Sequence, residues 1–74
     1  MSLYQFKDPS YNNFYYDATH NRVWFATRKT AVPLKWEHDH KTLSQVVVLK
    51  QGGRRECLSY DRIIKMVDFK NALL

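Results

Sequence analysis

The pattern of apolar and polar positions is uneven along this chain. From Leu3 to Asn13 no period is sustained, and Asp8-Pro9-Ser10 followed by Asn12-Asn13 is turn material. The pattern predicts an N-terminal arm over residues 1–13, carrying Tyr4, Phe6 and Tyr11. From Phe14 the signal is β. Phe14-Tyr15-Tyr16 leads into a turn at Ala18–Asn21, and Arg22–Arg28 alternates so that Val23, Phe25 and Thr27 share one face. Trp24 then shares the other face with Arg22 and Arg28. A short extended piece at Val32–Trp36 contains Pro33, which confines it to a sheet edge or to the strand's first residues. Glu37–Lys41 is polar throughout and reads as a loop.

The sharpest local signal is a hairpin, Leu43–Lys50 and Arg55–Ser59, around Gly52-Gly53. Two glycines supply the positive φ angles of a two-residue turn. Counting outward from them gives a register: Gln51 faces Arg54, Lys50 faces Arg55, Leu49 faces Glu56, Val48 faces Cys57 and Val47 faces Leu58. Lys50 opposite Arg55 is a like-charge pair, which costs up to about 1 kcal/mol unless an anion lies between them. Ser59 suits an N-cap and Asp61 the first helical turn. Tyr60, Ile63, Ile64 and Val67 recur at helical spacing, so a helix is expected from Tyr60 to Asn71. The expected fold is α+β in a single domain over 1–74: an antiparallel sheet of three to four strands within 14–59, one C-terminal helix packed on it over 60–71, and the arm.

Composition narrows the class. Seventy-four residues hold one domain, and 45% hydrophobic with 15% aromatic content supplies enough apolar surface to fold. The single Cys57 excludes an internal disulfide and points to a reducing compartment. The longest apolar run, Val46–Leu49, is too short to cross a bilayer, and Met1–Phe6 has no signal-peptide character. A cytoplasmic protein is expected, in the host cytoplasm if phage-encoded, with no membrane partner. Twelve Lys and Arg against seven Asp and Glu give a net charge of +5 and favour an anionic partner, either nucleic acid or an acidic protein face.

Catalytic chemistry is sparse. His38 and His40 in Glu37-His38-Asp39-His40 are spaced to share a face, but a zinc site needs three or four ligands and no second pair completes it. The same residues serve as a solvated loop, so no metal or other cofactor is expected. Cys57, opposite Val48, reads as a small core residue without a general base. No Ser-His-Asp order, paired carboxylates or phosphate-cradling glycine loop occurs, so neither catalysis nor a small-molecule substrate is expected. The positive charge gathers at Arg22, Arg28 and Lys29 and again at Lys50, Arg54 and Arg55. Trp24, lying between arginines, together with Tyr11 and Trp36, offers aromatic surface for stacking on bases or anchoring a protein interface.

Two resemblances follow from these segments. Tyr16-Asp17-Ala18-Thr19-His20-Asn21-Arg22-Val23-Trp24, Pro33-Leu34-Lys35-Trp36, and Val46-Val47-Val48-Leu49 with Gly53-Arg54-Arg55 resemble the β-rich leader of phage HNH-type homing endonucleases. That family opens its catalytic helix with His-Arg, where this chain has Asp61-Arg62, and the remaining motif is not found before Leu74. The resemblance therefore implies a nucleic-acid-binding scaffold without a metal centre. In length, charge and aromatic content the chain is also similar to small phage proteins that bind host RNA polymerase and redirect transcription. That similarity implies a regulator of initiation or termination, antitermination included, seated near the RNA exit region, where acidic protein surface and nucleic acid adjoin.

Overall fold

The computed structural model describes residues 2–41 and 44–73. In chain order the elements are β1 (Leu3–Phe6), a 3-10 turn (Pro9–Tyr11), β2 (Phe14–Asp17), β3 (Arg22–Ala26), β4 (Ala31–Pro33), β5 (Glu37–Asp39), β6 (Ser44–Gln51), β7 (Arg54–Ser59), α1 (Tyr60–Met66) and β8 (Val67–Ala72). The strands form two antiparallel sheets, one of five in the order β4-β3-β2-β1-β8 and one of three in the order β5-β6-β7. The fold is mostly β, with one short helix near the C-terminus.

Both sheets feed one core. Phe6, Phe14, Tyr16 and Val23 come from the larger sheet, Val47, Leu49 and Leu58 from the smaller, and Ile63 and Val67 from α1 and β8. The register explains the selection, since Phe14 lies opposite Phe25 and Tyr16 opposite Val23. With side chains alternating between faces, these four point inward, while Tyr15, Asp17, Arg22 and Trp24 share the outer face. In the smaller sheet the pairs Val47–Leu58 and Leu49–Glu56 share the inner face, and Val48–Cys57 and Lys50–Arg55 the outer one.

The hairpin has the register counted from its glycines, Lys50 opposite Arg55 and Gln51 opposite Arg54. Gly52 and Gly53 have φ of 56° and 78°, the positive values that a two-residue turn between twisted strands demands. Leu43, the expected first residue of this hairpin, lies outside the described residues. Ser59 caps α1, its hydroxyl accepting the Arg62 amide at 3.4 Å, with Asp61 in the first turn. Pro33 lies in the edge strand β4, where a missing amide costs no ladder bond.

Several expectations are corrected. There is no N-terminal arm: Leu3–Phe6 is an interior strand between β2 and β8, and Asp8 caps the 3-10 turn through the Ser10 amide at 2.9 Å. The helix stops at Met66 rather than Asn71. Val67 donates its amide to Ile63 but has φ −80° and ψ 137°, so it closes the helix and opens a strand. That strand completes the open edge of β1, with Phe6 opposite Val67, Tyr4 opposite Ala72 and an irregularity between them. Amides of Lys7 and Leu73 extend the pairing to the carbonyls of Met66 (2.8 Å) and Leu3 (2.7 Å). Glu37–Asp39, expected as loop, pairs with β6. The sheet of three to four strands is thus two sheets with eight strands. Cys57 is exposed rather than a core residue, because the outer face it shares with Val48 is open. Among the described residues no helix is long and apolar enough to cross a membrane.

Candidate anion-binding surface

The basic residues occupy separate places. Lys50 and Arg55 face each other on the outer side of the hairpin, their Cα atoms about 5 Å apart as in any directly opposed pair. Both are exposed, and among the described residues neither has a carboxylate within ion-pair reach. A shallow cleft of about 320 Å³ runs over this tip from Lys50 to Arg55. Arg54 belongs to the opposite face, with Gln51 and Glu56, so the expected trio divides two and one.

The Arg54 side of the tip is buttressed from the N-terminal segment. Tyr11 donates its hydroxyl to Glu56 Oε2 at 2.5 Å, and the Gln51 side-chain amide donates to the Ser10 carbonyl. A cleft of about 270 Å³ between these elements is lined by Asp8, Tyr11, Gln51, Arg54 and Glu56 among others. Two carboxylates on its wall make it a poor anion site. The hydrogen bonds from the Ser10 amide and hydroxyl hold the Asp8 carboxyl below its usual range, which keeps it ionised. The hydrogen bond to Glu56, then burial, raises the Tyr11 phenol, which keeps it neutral. The Tyr11 hydroxyl is therefore engaged within the fold, where it braces the hairpin.

Trp24 is likewise committed. It shares the outer face with Arg22, as expected, but its indole Nε1 reaches Asp17 Oδ2 at 3.4 Å. Asp17 is fully buried and gathers the β2–β3 turn, accepting the amides of Thr19 (3.0 Å) and His20 (3.2 Å) and contacting His20 Nδ1 at 2.8 Å. Burial pushes this carboxyl up, but the hydrogen bonds from His20 and Trp24 outweigh it and hold it below the usual range. Arg28 and Lys29 lie beyond the end of β3, in a turn closed by the Thr27 amide on the Thr30 carbonyl at 2.8 Å. Arg22 and Arg28 are six residues apart along a largely extended path, roughly 15–20 Å.

Arg22 instead lines a cleft in common with Trp36. Asn21, at a positive φ of 51°, accepts the Trp36 indole N–H on its carbonyl at 2.7 Å and the Tyr16 hydroxyl on Oδ1 at 2.5 Å. Asn tolerates that left-handed backbone better than most residues. The sequence marks Ala18–Asn21 as a turn but not the role of Asp17 in closing it. The signal for that role is an Asx turn: an acid two and three residues before the amides it accepts, with Asn at the position of positive φ.

His38 and His40 approach each other edge to face at 5.2 Å between ring centroids. Among the described residues no three His, Cys, Asp or Glu side chains gather to hold a metal ion. No family model, curated protein or solved structure matches the chain.

Proposed function

We propose that this chain is a non-catalytic docking module that seats its basic hairpin tip on an acidic face of host RNA polymerase and thereby alters initiation or termination. The observation that carries the proposal is the opposition of Lys50 and Arg55 with no carboxylate partner among the described residues. A like-charge pair in direct register weakens the fold, and a docked anionic surface offsets that cost. The fixed turn and the Tyr11 and Gln51 tethers hold the two charges on a rigid element, which lowers the entropic cost of docking. The similarity in size and charge to small phage regulators supports polymerase as the acidic partner.

The test is an affinity pull-down from bacterial lysate at moderate salt. Retention of polymerase subunits by the native chain, and their loss with the double variant Lys50→Glu and Arg55→Glu, is the expected result. Failure to retain any polymerase subunit overturns the proposal.

A second reading, a stand-alone nucleic-acid-binding module, is favoured by the same pair if a phosphate lies between the two side chains. It requires direct DNA or RNA binding whose salt dependence loses about 0.7–0.9 in slope for each phosphate contact removed. Equal slopes for native and Arg55→Ala protein would exclude it.

A further inference from the structure

Two clefts lie at the other end of the hairpin. Gln45 lines a cleft there, six residues and roughly 20 Å from Gln51 at the tip. Two adjoining clefts share Trp36 and Asn21 as their common wall. The smaller, about 300 Å³, adds Gln45 and Tyr60. The larger, about 390 Å³, adds His20, Arg22, Pro33, Leu34 and Lys35. That volume falls within the roughly 300–1,000 Å³ of sites for small organic groups.

The chemistry of the larger cleft is divided in a way that solvation alone does not require. Pro33, Leu34 and Trp36 supply apolar surface, and His20, Arg22 and Lys35 supply three nitrogen-bearing side chains. Among the described residues no carboxylate lines its wall: Asp17, opposite Arg22 in the β2–β3 register, is buried beneath His20 and engaged by its own turn, and Glu37 lies outside the lining. The His20 contact with Asp17 uses Nδ1, which leaves Nε2 available on a side chain that is 54% exposed.

The indole is also held in place before any ligand arrives. Its N–H is satisfied by the Asn21 carbonyl, and Tyr60 braces it edge to face with centroids 5.7 Å apart. Tyr60 in turn neighbours the Tyr16 hydroxyl. A fixed, partly exposed aromatic ring loses little freedom when another ring stacks on it.

We propose that this cleft is a nucleotide slot, which takes one unpaired nucleotide with its base against Trp36 and its phosphate among His20, Arg22 and Lys35. Stacking on an aromatic face tolerates any base, so the slot is selective for unpaired strands and not for sequence. A duplex, whose bases are already stacked, does not fit it. The slot is independent of the hairpin tip, and either can fail without the other.

The experiment is a titration of ¹⁵N-labelled full chain with octauridylate and, separately, with uridine 5′-monophosphate. The Trp36 indole cross-peak and the Arg22 and Lys35 amides are expected to shift, and the Trp24 indole, which shares Asp17 Oδ2 with His20, reports any disturbance of His20. Shifts with the monophosphate identify a slot that a free nucleotide fills. Shifts with octauridylate alone identify one that needs the strand. Trp36→Leu is expected to weaken binding about tenfold, the order of one lost base stack. Lys35→Glu, an exposed change, gives an independent loss should Trp36→Leu fail to fold. A Trp36 indole that does not move at millimolar octauridylate overturns the proposal, as does an affinity unaltered by Lys35→Glu.

Discussion

The Tyr11 hydroxyl donates to Glu56 at 2.5 Å across 45 residues of sequence, and so ties the β1–β2 connection of one sheet to the hairpin of the other. The Tyr11 ring also packs near Phe6 and Phe14, with centroids 5.8 and 6.2 Å away. Tyr11→Phe keeps the ring and removes only the hydrogen bond. A loss of about 1 kcal/mol is expected, since the pair is partly open to water. Urea unfolding measures it, and amide exchange near Gln51 and Arg54 should quicken as the tip loses its brace. An unchanged midpoint with unchanged exchange would mean that the bond carries no load.

Tyr16 contributes to the alkaline limit of the fold. Burial and then the Tyr60 hydroxyl push its phenol up to about 12. The native state therefore favours the neutral phenol more than the unfolded chain does, where ionisation occurs near pH 10. The stability so gained is full below about pH 10 and is lost as pH rises toward about 12. Tyr16→Phe is expected to flatten that decline. At neutral pH it costs about 1 kcal/mol, because the bond to Asn21 goes with it. Urea midpoints from about pH 9 to about pH 12, with tyrosinate absorbance followed in parallel, provide the check, since that range brackets the ordinary and the raised phenol.

Asp17 contributes to the acid limit by the opposite sign. Its carboxyl is held below the usual range by donors that outweigh its burial, so the native state favours the ionised form. Its contribution is complete above about pH 4 and disappears as pH falls through the depressed native value. Asp17→Asn keeps the shape of the turn but weakens four contacts that depend on the carboxylate. A loss of about 2 kcal/mol at neutral pH is expected, with a flatter acid limb. Equal acid slopes for variant and native protein would show that another carboxylate governs this limb.

What could be read from the sequence was local. The hairpin register follows by counting from Gly52 and Gly53, and the Ser59 cap from three residues. β1 and β8 pair across some sixty residues, and Val67 satisfies both the helical period and the strand period, so the helix was expected to run through it. β5 is wholly polar and becomes a strand only because β6 offers an edge. The same limit governs the site. Lys50 and Arg55 were placed together by register alone. The hydrogen bonds that engage Trp24 and Tyr11 are not legible beside them, because the partners, Asp17 and Glu56, belong to other elements. Arg22 and Trp36 line a common cleft only once β3 and the segment after β4 have folded together.

The hairpin tip allows stability and docking to be separated in one substitution. Lys50→Glu converts the like-charge pair with Arg55 into an attractive one on an exposed face, where no ladder bond or core contact changes. Cross-strand charge pairs contribute roughly 0.2–1 kcal/mol, so the variant is expected to be more stable than the native chain by about that amount. The same change places a carboxylate where the proposed acidic surface must approach, and polymerase retention should fall. Thermal or urea unfolding checks the first effect, with salt reducing the gain because both groups are exposed. The pull-down checks the second. Opposite movement of the two quantities is what a pair kept for binding requires. If stability rises and retention does not fall, the tip is a solvated turn, and the docking surface lies elsewhere.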